Sequence, residues 1–104
     1  MQTEIGVRLV EWDSNKAAIN LKKHGVSFML AAKVFLDENH RTEIDELHRD
    51  EELRYKTIGR VGKILVVIHT ERGEFTRIIS ARKATKEERV IYYGQYFYLS
   101  GHED

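Results

Sequence analysis

The sequence predicts an α+β domain in which two N-terminal helices pack on an antiparallel sheet, in the order β-α-α-β-β-β-β-α, with a helix at the C-terminus. Three observations predict it. Residues 64–68 are an unbroken run of β-branched residues and leucine between Gly62 and Gly73, the pattern of a buried central strand in a meander. Residues 13–36 carry two helix-cap signals and an apolar stretch of helical length. Thr85 and Glu88, three residues apart behind a strand-like run, form a capping box.

Each element follows from local chemistry. Residues 5–12 read as the first strand. Asp13 or Ser14 can cap a helix over residues 15–23, and Gly25 stops it, with Lys22, Lys23 and His24 at the end that favours cations. Ser27 caps a second helix over residues 28–36, apolar around most of its surface and therefore central to the core. Residues 40–45 read as a short edge strand and residues 46–53 as an acidic connection holding one helical turn. The meander strands fall at residues 54–59, 63–70 and 74–82. A last helix runs from about residue 86 to residue 97, is interrupted at Gly94, and carries an aromatic cluster of Tyr92, Tyr93, Tyr96, Phe97 and Tyr98 suited to packing or to a protein partner.

At 104 residues the chain is a single domain, 1–104. With 41% hydrophobic and 33% charged residues it is globular rather than disordered. It has no cysteine, which excludes disulfides and thiolate chemistry. No apolar run approaches the roughly 18 residues of a membrane span, and the N-terminus has no signal-peptide pattern, so we expect a cytoplasmic protein. The net charge is zero but unevenly spread. Residues 37–52 hold two Lys/Arg and eight Asp/Glu, a net of −6, whereas residues 53–89 hold ten and four, a net of +6. The separation reads either as two solvated faces or as a local basic field able to hold nucleic acid.

If both meander turns use two residues, Val61-Gly62 and Arg72-Gly73, the pairing follows by counting. Lys56 then opposes Val67, Arg54 opposes His69, and His69 opposes Thr76. One face shows Arg54, Lys56, His69, Thr76, Ser80 and Arg82. The other shows Tyr55, Thr57, Ile64, Val66, Ile68, Phe75, Ile79 and Ala81, and should receive the helices. Arg77 falls on the core face unless a bulge turns it, and Leu65, Val67 and Ile78 need a cover from a partner or the last helix.

Set in order, these pieces resemble a known family. Glu11-Trp12-Asp13, Lys16, Asn20 and residues 23–28 (Lys-His-Gly-Val-Ser-Phe) make an opening motif, continued by Ala31, Val34, Phe35 and Asp37. Asp45, His48, Glu52, Arg54 and Ile58-Gly59 follow, and then residues 77–82 (Arg-Ile-Ile-Ser-Ala-Arg), Ala84-Thr85, Glu88-Arg89 and Tyr92. Over residues 10–93 the chain resembles the BrnT toxins of bacterial type II toxin–antitoxin systems. It departs at Met29 and Leu30, where the family often has acidic residues, and at Glu38, where a proline is common. The resemblance implies a RelE-like fold and a ribonuclease toxin that cuts RNA and inhibits translation and growth. It implies a metal-independent endoribonuclease without cofactors, acting on mRNA. It further implies a cognate BrnA-like antitoxin with a ribbon–helix–helix DNA-binding domain, through which alone the toxin meets operator DNA.

Metal-free RNA cleavage needs a base for the 2′-hydroxyl, a cation for the phosphorane and an acid for the leaving oxygen. Arg54 and Arg82, sharing the polar face, are the candidates for phosphate, because the guanidinium fork grips two oxygens at once. Arg77 joins them on the resemblance, and Lys56 by its face. For proton transfer His24 and His69 are the options. His24 reads equally as a helix-end residue that answers the dipole, and His69 as a strand-end surface residue. Glu52 is a candidate base within an acidic run. Lys23 can contact backbone phosphate, and Trp12 can stack a base or lie in the core. Glu88 reads as a cap. Asp45 and His48 are a possible metal pair that nothing completes, so no metal site is expected. The competing reading is a non-catalytic module that uses the same basic face to bind nucleic acid or protein.

Overall fold

The computed structural model describes residues 1–45 and 52–99, with side chains through Gly94. The strand expected at residues 5–12 folds as a hairpin instead: β1 (Gln2–Ile5) and β2 (Arg8–Glu11) pair antiparallel around Gly6 and Val7. This adds a strand to the expected order. Asp13 then caps α1 (Ser14–His24), its carboxylate accepting the Lys16 N–H at 2.9 Å, and the Gly25 N–H closes the helix on the Leu21 carbonyl at 2.8 Å. The second helix is shorter than its apolar stretch suggests. It is one α-turn, α2 (Phe28–Ala31), capped by Ser27 and continued by a 3₁₀ helix (Ala32–Leu36).

β3 (Arg41–Ile44), β4 (Tyr55–Val61), β5 (Lys63–Arg72) and β6 (Phe75–Lys83) follow, and α3 (Lys86–Leu99) ends the described chain, running through Gly94 without a break. The expected acidic turn, the Asp45/His48 pair and the aromatic side chains beyond Gly94 lie wholly or partly outside the described residues. The six strands form one sheet in the order β1-β2-β6-β5-β4-β3. It is antiparallel except where β2 runs parallel to β6, so the expectation of a purely antiparallel sheet is corrected.

Register is where counting fails. Gly62 alone, at φ +72°, turns the chain between Val61 and its partner Lys63, so Lys56 opposes Ile68 and Tyr55 opposes His69. The slip is one residue from the two-residue turn. Packing explains it. This register puts Leu65 opposite Gly59 and Val67 opposite Thr57, and at Gly59 a Cβ would stand 2.8 Å from the Val34 Cβ, so only glycine lets the 3₁₀ helix come so close. The second turn is Gly73-Glu74. A bulge then inserts Ile79, so that His69 opposes Ile78 but Ile68 opposes Ser80.

The sheet consequently has two apolar sides. Leu65, Val67, Ile78 and Ala81 pack with Val10, Trp12, Phe28 and Val34 under α1, α2 and the 3₁₀ helix. The N-terminal helices, not the last one, cover the residues that counting left exposed. On the other side Ile58, Ile64 and Val66 pack with Ala84 and Tyr92 beneath α3. The Tyr92 hydroxyl donates to Asp37 at 2.6 Å, and Asp37 also accepts the Arg60 and Asn39 N–H groups, which pins α3 to the end of the 3₁₀ helix. Those donors hold Asp37 below the usual carboxylate range although burial pushes it up. At the margin of β6, past the point where β2 ends, the buried Asn20 amide bonds both the N–H and the carbonyl of Ala81 and so ties α1 to the strand.

Candidate functional site

α3 covers one end of its side of the sheet and leaves the other end open. Strand alternation and the observed pairs place Lys56, Thr70, Arg72, Arg77, Ser80 and Arg82 on that side, together with Arg54, one residue ahead of β4. The expectation that Arg54, Lys56, Ser80 and Arg82 share a face holds, through two compensating departures. The slip at Gly62 moves β4 against β5, and the bulge at Ile79 moves the end of β6 back into step. The same slip brings in Arg77, which pairs with Thr70.

The open side holds cations in three arrangements. Arg82 grips Glu88 with both terminal nitrogens, each bond 2.8 Å, and Lys56 reaches the same carboxylate at 2.8 Å. Glu88 also closes the expected capping box: Thr85 N–H donates to Oε1 at 2.8 Å, and Glu88 N–H donates to the Thr85 hydroxyl at 3.2 Å. The Arg82 guanidinium holds the Glu88 carboxyl far below the carboxylate range, against the opposing effect of burial, and Glu88 in turn raises Arg82. Arg77 donates to Glu11 at 3.2 Å, and Arg72 meets Glu52 at 3.4 Å, an exposed pair that leaves Glu52 at the rim. Arg54 differs from all of these. Its Nε is buried without a hydrogen-bond partner, and its side chain pairs with no carboxylate among the described residues. A buried guanidinium nitrogen left unsatisfied costs free energy, and an incoming anion would relieve that cost.

Beside Ser80, the end of α1 lines a cleft of about 200 Å³ with Lys16, Lys23 and His24. Nothing acidic lines it. Ser80 and Arg82 are alternate residues on one face of β6, about 7 Å apart, so this cleft adjoins the arginine cluster. Four expected residues thus share the open side of the sheet, and two more, Lys23 and His24, line a cleft at the β6 margin beside it.

His69 does not join them, a correction to its expected place. It lies on the opposite side, 2% exposed, with Phe35 edge-on at 5.2 Å and Tyr55 stacked at 5.7 Å. Its Nε2 shares a 2.7 Å hydrogen bond with the buried Thr57 hydroxyl, which meets Thr42 at 2.7 Å. Burial, with Arg8 and His40 nearby, lowers its pKa to about 4, so it is neutral at physiological pH. Trp12 is 6% exposed and packs edge-on against Phe28, so its indole is part of the core and not a platform for a base.

Sequence reasoning missed Glu88 as a meeting point, Glu11 as the partner of Arg77, and Lys16 as a cleft residue. For Lys16 a signal existed, since i, i+4 spacing puts it on one helical face with Asn20 and, a further turn on, Lys23 and His24. Among the described residues no group of three or more His, Cys, Asp or Glu side chains is placed to hold a metal ion. Among the described residues no helix is long and apolar enough to cross a membrane.

Comparison with known proteins gives two findings. The profile of the family described as "Ribonuclease toxin, BrnT, of type II toxin-antitoxin system" matches residues 12–88, more than half of the chain. Among solved structures, the ribonuclease toxin BrnT of Brucella abortus is similar, with 27% sequence identity and a TM-score of 0.57 over 74% of this chain and 96% of that one. No curated protein matches the chain.

Proposed function

Because the chain belongs to the BrnT family of ribonuclease toxins of type II toxin–antitoxin systems, we propose that the open side of its sheet is an RNA-cleaving site working without a metal ion. The observation that carries this reading is the unpartnered, buried Nε of Arg54 among cations on a rigid sheet. In this reading a scissile phosphate sits on Arg54, with Lys56, Arg77 and Arg82 around it and Lys23 on the neighbouring backbone. A base takes the 2′-hydroxyl proton, the 2′-oxygen attacks phosphorus, and the bond to the 5′-oxygen breaks as that oxygen is protonated, which leaves a 2′,3′-cyclic phosphate and a 5′-hydroxyl. His24, in the cleft at the β6 margin, and Glu52, at the rim beside Arg72, are the candidates for proton transfer. The arginines act on the charge that builds up on the phosphorane. The fold is read as RelE-like, mRNA as the substrate, and growth arrest through lost translation as the outcome. A DNA-binding antitoxin of ribbon–helix–helix type would mask the site.

A second reading, a binding face that does not cleave, draws on one observation: Lys56, Arg77 and Arg82 are already answered by carboxylates. Incubation of end-labelled RNA with purified protein in excess chelator separates the two. Fragments ending in cyclic phosphate, absent with Arg54→Ala, are expected. Intact RNA with the wild type, or undiminished cleavage by the variant, would overturn the catalytic reading.

A further inference from the structure

Glu88 makes more bonds than a helix cap needs. Oε1 accepts Arg82 Nη1 and the Thr85 N–H, and Oε2 accepts Arg82 Nη2 and Lys56 Nζ, all at 2.8 Å. One of these four contacts closes the capping box. The other three bind side chains from β6 and β4, which are separated by β5 and stand about 10 Å apart. A carboxylate entering from α3 bridges that gap, and its side chain is only 10% exposed. Screening by water is therefore weak, and the geometry is restrained on both oxygens.

The engagement of Arg82 is also one-sided. Glu88 takes the edge formed by the two terminal nitrogens, and Nη1 additionally reaches the Lys83 carbonyl at 3.3 Å. The Nε–H and the second Nη2–H, a second fork on another edge of the guanidinium, make no hydrogen bond among the described residues. Glu88 thus fixes the plane of Arg82 and leaves one fork for an anion.

We propose that Glu88 is a positioning residue of the RNA site: it draws Lys56 and Arg82 together across β5 and orients the free fork of Arg82, giving up ground-state affinity for geometry. This rests on the reading of the open side as the cleaving surface. Its negative charge offsets part of the attraction for RNA, while the fixed cations need no reorganisation when charge develops on the phosphate.

The test compares wild type, E88Q, E88D and, as a control on the exposed first turn of α3, E87Q. Binding is measured with a short 2′-O-methyl RNA, which cannot be cleaved, and turnover with the unmodified RNA. E88Q should bind the methylated RNA about two- to fivefold more tightly. Its kcat should fall by about tenfold or more. E88D, which keeps the charge on a shorter arm, should bind like the wild type and lose kcat, and it serves if E88Q does not fold. E87Q should change neither. If Glu88 were only a cap, E88Q, whose amide oxygen still accepts the Thr85 N–H, would alter Tm and leave both affinity and kcat as they were; that result overturns the proposal. If the wild type leaves RNA intact while E88Q still tightens binding, the cleavage reading falls and the hold of Glu88 on the two cations stands.

Discussion

Arg54 adjoins Tyr55, and Tyr55 pairs with His69, so arginine and histidine are neighbours in the sheet. Their side chains go to opposite sides and meet different surroundings. His69 is sealed among Phe35, Tyr55 and Thr57, and burial strips it of charge. Each has a buried nitrogen without a hydrogen-bond partner, Nδ1 of His69 and Nε of Arg54, but the guanidinium of Arg54 lies on the open side. The difference teaches that residue type does not choose the functional group here. Histidine is the usual proton carrier and arginine a common surface residue, yet the buried face turns the first into packing that a solute does not reach, and the open face sets the second where an anion can approach.

The largest expected effect sharpens this contrast. Arg54→Ala should lower RNA cleavage by about 10²–10³-fold. Because its Nε has no partner to lose, stability should stay within about 0.5 kcal/mol in urea unfolding. His69→Gln should do the reverse, leaving kcat intact and costing about 1–3 kcal/mol of stability. An active-site loss with His69→Gln would break the comparison.

Acid should act on the sealed side first. His69 has an ordinary value of 6.5, lowered to about 4 in the fold. The unfolded chain therefore binds a proton that the folded one refuses between those values. The stability at stake, about 3 kcal/mol, is complete above pH 6.5 and is lost as pH falls toward 4. Glu88 and Asp37, both held low, lose their contributions only at lower pH, as it falls through the carboxylate range. Thermal melts from pH 7.5 to 4 should show this fall, and His69→Gln should flatten its upper part.

Smaller effects grade the open side. Tyr92→Phe removes a 2.6 Å bond to Asp37 and should cost about 1–2 kcal/mol in chemical unfolding, with cleavage little changed. Arg77→Ala breaks a partly buried pair with Glu11 and should cost about 1 kcal/mol, while weakening RNA affinity a few-fold in a filter-binding assay.

What the sequence shows well is local. The caps at Asp13, Ser27 and Thr85 and the stop at Gly25 rest on bonds spanning a few residues, and each lies where the side-chain chemistry puts it. Register was hidden because residues 64–68 are apolar on both sides and carry no alternation to fix which side faces which helix. A turn of Gly62 alone and one of Val61-Gly62 look the same in sequence. The bulge at Ile79 and the parallel pairing of β2 with β6 are set by packing between distant segments. The site was read in the same measure. Arg54, Lys56 and Arg82 were found together, His69 was placed on the wrong side by the one-residue slip, and the convergence of Lys56 and Arg82 on Glu88 has no local signal beyond the cap.

The most direct test of the account is a backbone and side-chain NMR titration of the isotope-labelled protein with a 2′-O-methyl RNA. It predicts shifts concentrated at Arg54, Lys56, Arg77, Ser80 and Arg82 and at Lys23 and His24, with Thr42, Thr57 and His69 unmoved. Shifts centred on Thr42, Thr57 and His69, with the arginine cluster silent, would contradict it.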